Sequence, residues 1–175
     1  MDAPGDIIDI FLQPGDFYFG DAKTRIRTLL GSCVAITLWH PRLHIGGMCH
    51  YMLPRRPIRK VDTPHVLDGR YAEDAMKMFH AEILRARTRA GEYEVKLFGG
   101  GQMFAPSSRH AGHPSISETN VDYGRAAITL AGFRSVAEDL GGDSHRNVIL
   151  DLWSGDVWVR KPGPSAIRAA EPGRK

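Results

Sequence analysis

Over residues 7–19 apolar and polar positions alternate on either side of Pro14-Gly15, which predicts two short strands separated by a turn. Residues 26–39, IRTLLGSCVAITLW, form an apolar run broken only at Gly31-Ser32, and its second half, 34–39, is rich in β-branched residues. That half is the clearest strand of the chain. His40-Pro41-Arg42 makes a turn, and residues 45–53 return as a second strand entered through Gly46-Gly47. The short connection predicts that the two are antiparallel neighbours.

The period then changes. Between residues 69 and 90, Tyr71, Ala75, Met78, Phe79, Glu82, Ile83 and Ala86 recur at three- and four-residue spacing, which predicts a helix closed by Gly91. Met76, Met78 and Phe79 belong to its core face. A strand at 94–98 runs into Gly99-Gly100-Gly101, followed by a polar loop at 107–117 and a second helix at 121–131. Three more strands are expected at 133–139, 147–153 and 156–160, the last two joined at Ser154-Gly155. There is no internal repeat. The pattern predicts an α+β single domain, 1–160, with a largely antiparallel sheet packed by two main helices. Residues 161–175 are rich in Pro, Gly and Ala and are expected to form a disordered basic tail.

Composition narrows the function. With 42% hydrophobic and 25% charged residues the 175-residue chain is ordinary for a globular protein. No apolar run approaches the ~20 residues that span a bilayer, and the first residues show no secretory leader, so no membrane insertion is expected. Two cysteines give no disulfide framework, which points to a reducing, cytoplasmic setting. The formal charge of +3 is concentrated near the end, in Arg160, Lys161, Arg168, Arg174 and Lys175, so a nucleic-acid partner is not expected.

Gly31-Ser32-Cys33 lies where a loop enters a strand, a rigid place for a nucleophile with open backbone beside it. A thiol attacks as thiolate and needs a base. His50, on the predicted neighbouring strand, falls at the same end of the pair as Cys33. The same two residues also fit a buried thiol and a core histidine, since free cysteine is often buried. A metal cluster of Cys33, His40, His44, Cys49 and His50 lacks the spacing of short zinc motifs, and adjacent Cys49 and His50 would face opposite ways on a strand. Gly99-Gly100-Gly101 is followed by neither a phosphate-loop Lys nor a dinucleotide fingerprint, so close packing is expected there. Asp139-Leu-Gly-Gly-Asp143 reads as a turn rather than a calcium loop.

Residues 29–54, LLGSCVAITLWHPRLHIGGMCHYMLP, resemble the chemoreceptor glutamine deamidase family CheD. The resemblance continues through KLFGGGQMF (96–104), ISETN (116–120) and AEDLGGDSHR (137–146), with Ser117 and Thr119 standing where the family would have glycine and arginine. It implies an α/β sandwich similar to the catalytic domains of deamidating toxins. It also implies a Cys-His-Thr triad converting glutamines of methyl-accepting chemotaxis receptors to glutamate, without metal or organic cofactor. Cys33 would be the nucleophile, His50 the base and Thr28 the residue orienting the ring, with Thr24 as the alternative for the third position. Backbone at Gly31, Ser32 and Cys33 would supply the oxyanion hole. Arg55, Arg56, Arg59 and Lys60 would form a basic rim for an acidic receptor helix or a plain solvated loop. The same resemblance leaves room for binding a CheC-like phosphatase, and the same dyad for a receptor methylesterase.

Overall fold

A computed structural model describes residues 3–57, 66–103 and 114–162. In chain order it contains β1 (Ile8–Leu12), β2 (Phe17–Gly20), β3 (Thr24–Leu30), β4 (Val34–His40), β5 (Ile45–Tyr51) and α1 (Ala72–Arg85). After a 3-10 turn at Ala90–Glu92 follow β6 (Glu94–Gly99), α2 (Ile116–Leu130), β7 (Arg134–Leu140), β8 (Arg146–Asp151) and β9 (Val157–Arg160). The strands divide into two sheets, ordered β1-β3-β8-β9 and β2-β5-β4-β6-β7. Only β1 with β3 and β6 with β7 pair in parallel; the other described pairs are antiparallel.

This is the expected α+β single domain, arranged in three layers. One face of the five-stranded sheet packs on the four-stranded sheet through Ala35, Met48 and Phe98 against Leu12, Ile26, Leu30, Val148 and Leu150. Its other face carries α1 and α2, whose Phe79, Ile83, Val121 and Ile128 meet Ile36, Leu38, Cys49, Tyr51 and Leu97. Burial on both sides explains why β4 and β5 read as continuous apolar runs. By contrast β3 alternates, with Arg25, Arg27 and Leu29 outward. The two strands flanking Pro14-Gly15 belong to different sheets. A period of two tells which side chains face a core and not which sheet provides it.

Three boundaries differ from the sequence pattern. Helix α1 stops at Arg85, with Ala86 as C-cap and Arg87 in the left-handed region at φ 55°, so Gly91 lies in the 3-10 turn and is not the cap. Helix α2 begins at Ile116, because the Ser115 hydroxyl accepts from the Glu118 amide while the Glu118 carboxylate accepts from the Ser115 amide. Its first turn had read as polar loop. Lys161, the first residue of the expected tail, is tied to Asp139 at 2.9 Å, and residues 163–175 lie outside the described residues.

Candidate active site

Alternation along β3 turns Thr24, Ile26, Thr28 and Leu30 toward the inter-sheet core. In β5 it turns Met48 and His50 toward the same core, and Cys49 and Tyr51 toward the helices. Two polar side chains, Thr28 and His50, therefore meet in an apolar interface, each about 1% exposed. The Thr28 hydroxyl donates to the Leu12 carbonyl at 2.9 Å and lies 2.8 Å from His50 Nδ1. A hydroxyl has one proton, so Thr28 Oγ1 accepts from the ring and Nδ1 carries the hydrogen. This tautomer leaves a lone pair on Nε2, which is buried and has no hydrogen bond among the described residues. The backbone of His50 is held on its β2 side: its amide donates to the Asp16 carbonyl and its carbonyl accepts from the Gly15 amide, at 3.0 and 2.7 Å.

Cys33 lies in the bend between β3 and β4. His50 pairs with Ala35, two residues further along, and Cys33 packs half-buried against the inter-sheet core, on the His50 side. No hydrogen bond joins its sulfur to the ring among the described residues. Every carbonyl of the bend is taken: Gly31 accepts from the Gly101 amide and Cys33 from the Gly100 amide, both at 2.8 Å, and Ser32 accepts from Asn120 Nδ2 at 3.3 Å. The amides of Ser32 and Cys33 find no acceptor among the described residues. The glycine run is thus a clamp on the cysteine bend. Beyond it, buried Arg146 holds Asp139 and the Gly141 carbonyl; Asp139 and Leu140 end β7, so the expected turn at 139–143 begins only at Gly141.

Burial sets the charge states. It pushes the His50 pKa down to about 4, with Asp16 and the Leu12 carbonyl pulling slightly the other way, and raises Cys33, with the Ser32 hydroxyl in partial opposition. At neutral pH the resting pair is a neutral imidazole and a neutral thiol. Because the folded His50 pKa lies below its ordinary 6.5, the unfolded chain binds the extra proton between about pH 4 and 6.5. Stability then rises with pH, complete above 6.5 and lost toward 4, by on the order of 3 kcal/mol. Urea unfolding at pH 7 and pH 4.5 should show this slope in the wild type and a shallower one in His50→Gln.

The remaining candidates separate clearly. Thr24, also inward, stands four residues before Thr28 on an extended strand, about 13 Å away, and β3 presents Thr28 to the ring instead. Cys49 is fully buried among the helix-side core residues, and burial drives its pKa up to about 12. Brief alkylation with limiting iodoacetamide is expected to label Cys33 at least about tenfold faster than Cys49, read by peptide mapping. Equal labelling would contradict the facing of β5. His40 Nδ1 accepts from the Arg42 and Leu43 amides and His44 stacks on Trp39, so the histidines near Cys33 in sequence are spent on the β4–β5 turn. Among the described residues no three His, Cys, Asp or Glu side chains gather to hold a metal. In the basic segment Arg56 is bound to buried Asp74 at 2.9 Å, whereas Arg55 lies over the Tyr123 ring; Arg59 and Lys60 fall outside the described residues. The sequence pattern missed Asn120 as a contact of the cysteine bend, although the Ser115-x-x-Glu118 capping signature would have placed it in a helix.

The family model described as CheD chemotactic sensory transduction matches residues 52–161, which contain both helices but begin after His50. Whole-chain relatives cover the rest. A protein of Pseudomonas savastanoi pv. phaseolicola named "Probable chemoreceptor glutamine deamidase CheD" is 48% identical over 168 residues, 95% of this chain and 92% of its own length. A relative of the same name from Pseudomonas syringae pv. syringae is 48% identical over 161 residues, 91% of this chain and 88% of its own. One from Leptospira interrogans is 40% identical over 168 residues, 91% of this chain and 96% of its own. Spans this long necessarily include residues 28–50. No described helix is long and apolar enough to cross a membrane. The chain belongs to the CheD family.

Proposed function

We propose that the protein hydrolyses glutamine side chains of methyl-accepting chemotaxis receptors to glutamate, releasing ammonia, in the cytoplasm and by covalent catalysis through Cys33. The observation that supports it most is the Thr28–His50 hydrogen bond, which fixes the ring with a bare Nε2 on the side of the sheet where Cys33 lies. His50 Nε2 takes the thiol proton as sulfur attacks the carboxamide carbon. The imidazolium returns that proton to the departing nitrogen, so ammonia leaves rather than amide anion. Water, deprotonated by the same ring, then cleaves the thioester and restores the thiol. The unengaged amides of Ser32 and Cys33 are the donors for the oxyanion of both tetrahedral intermediates.

A neutral resting pair makes proton transfer part of the attack. Activity should hold level down to about pH 5, because His50 stays unprotonated until near 4. Cys33 is half-buried at a bend, so what the receptor has to present is a glutamine side chain long enough to reach it. Purified receptor cytoplasmic domain, incubated with the protein, should release ammonia and gain about 1 Da per converted glutamine. Absence of both, with receptor bound, would overturn the proposal.

Thr28→Val keeps the shape of the side chain but leaves Nδ1–H and the Leu12 carbonyl without their partner. The expected outcome is a fall in kcat of about 10- to 100-fold with KM nearly unchanged, since ring orientation is lost and the nucleophile is not. Thr24→Val should leave kcat within about twofold. The reverse pattern would move the orienting role to Thr24.

A further inference from the structure

Asn120 is fully buried in the second turn of α2. Its Nδ2 reaches two carbonyls, Met52 at 2.8 Å and Ser32 at 3.3 Å. Both acceptors are carbonyl oxygens, so the amide has one sensible orientation, with each of its two protons donated. Its Oδ1 is buried with no hydrogen bond among the described residues. An unpaired buried acceptor is unfavourable, and a side chain selected for helix packing alone would be apolar here. The two donated bonds are what the position provides.

Their targets are the significant point. Ser32 immediately precedes Cys33, and Met52 follows His50 by two residues. One side chain thereby spans the bend that carries the thiol and the end of the strand that carries the imidazole. The helix turn itself is held in place: the Tyr51 hydroxyl donates to the Asn120 carbonyl at 2.6 Å, and the Ser117 hydroxyl to the Gly101 carbonyl at 3.0 Å. We infer that Asn120 is a positioning residue for the reaction, setting the separation and facing of Cys33 and His50 through Ser32 and Met52. The inference rests on the Cys33/His50 reading above. It assigns Asn120 no contact with substrate.

The test compares kcat, KM, melting temperature and Cys33 alkylation rate, with receptor cytoplasmic domain as substrate, for Asn120→Asp, Asn120→Ser and Tyr51→Phe. Asn120→Asp is isosteric but offers oxygen to both carbonyls. It is expected to lower kcat by about 10- to 100-fold at nearly constant KM. Its activity should recover as pH falls and the carboxyl protonates to become a single donor, over a range where the wild type is level. Asn120→Ser, smaller and with one donor, should also lose kcat, which keeps the test open if the Asp variant folds poorly. Tyr51→Phe loosens the same helix turn without touching Ser32, and should lower the melting temperature while keeping kcat within about twofold. Wild-type kcat and pH profile in Asn120→Asp would overturn the inference, as would an equal kcat loss in Tyr51→Phe. Cys33→Ala run alongside separates the two failures: full deamidation by that variant would sink the nucleophile assignment itself, whereas an inert Cys33→Ala beside a fully active Asn120→Asp would sink only the positioning role.

Discussion

Cys33→Ala and His50→Ala are each expected to reduce receptor deamidation by about 10⁴-fold or more, and the double variant to be scarcely worse than either. In the proposed mechanism a nucleophile without its base and a base without its nucleophile fail at the same step, so their effects do not add. Cys33 is half-buried at a bend whose carbonyls are held by Gly100, Gly101 and Asn120, contacts that alanine leaves in place. Removing the His50 ring opens a space between the sheets but leaves the Thr28 hydroxyl bonded to Leu12. Both variants should therefore retain a cooperative thermal transition. Ammonia release over an hour-long incubation measures the loss. Near-normal turnover in either variant would mean that another group attacks the amide.

Gly99→Ala should be the most damaging single methyl group near the site. Gly99 has φ +114°, a conformation that costs an L-residue strain, and an added Cβ would stand 2.2 Å from the Cys33 carbonyl oxygen and 3.0 Å from Val34 Cα. Those atoms are backbone at the start of β4, so no rotamer change relieves the overlap. Either β6 shifts away from β4 or the cysteine bend moves. A loss of about 3 kcal/mol or more in unfolding free energy is expected, together with a change in Cys33 alkylation rate. Gly91→Ala makes a useful contrast, since a Cβ there meets nothing within 4 Å and the backbone has ordinary φ. It should be close to neutral in urea unfolding.

Much of the strand pattern was legible because alternation is a local signal. The pairing of β4 with β5, and with it the placement of Cys33 and His50 at one end, follows from two apolar runs and a short turn. The opposite facing of Cys49 and His50 follows from the same period. What stayed hidden is of longer range. Nothing in TRIRTLL indicates that β3 lies in a different sheet from β4, three residues and one bend away, or that its inward threonine would meet His50. The resemblance proposed Thr28 for that role, whereas strand periodicity gives Thr24 and Thr28 the same inward face. The start of α2 was misplaced because polar residues at 115–120 resemble a loop until the capping exchange between Ser115 and Glu118 is considered. That misplacement also hid Asn120.

The division of labour between the sheets determines when the site can exist during synthesis. Thr28 is in the sheet that takes two of its four strands from the last part of the chain, and His50 is in the other. The β3 backbone at Thr28 pairs with Val148 on one side and Leu12 on the other. Until β8 has left the ribosome, β3 has one bare edge and the wall behind His50 lacks Val148 and Leu150. Although Thr28, Cys33 and His50 all emerge within the first third of the protein, their arrangement waits for residues made near the end. A nascent chain would carry the Cys33 thiol long before the strands that complete the wall between the sheets, and a product truncated ahead of Arg146 would have all three residues without β8 beside Thr28.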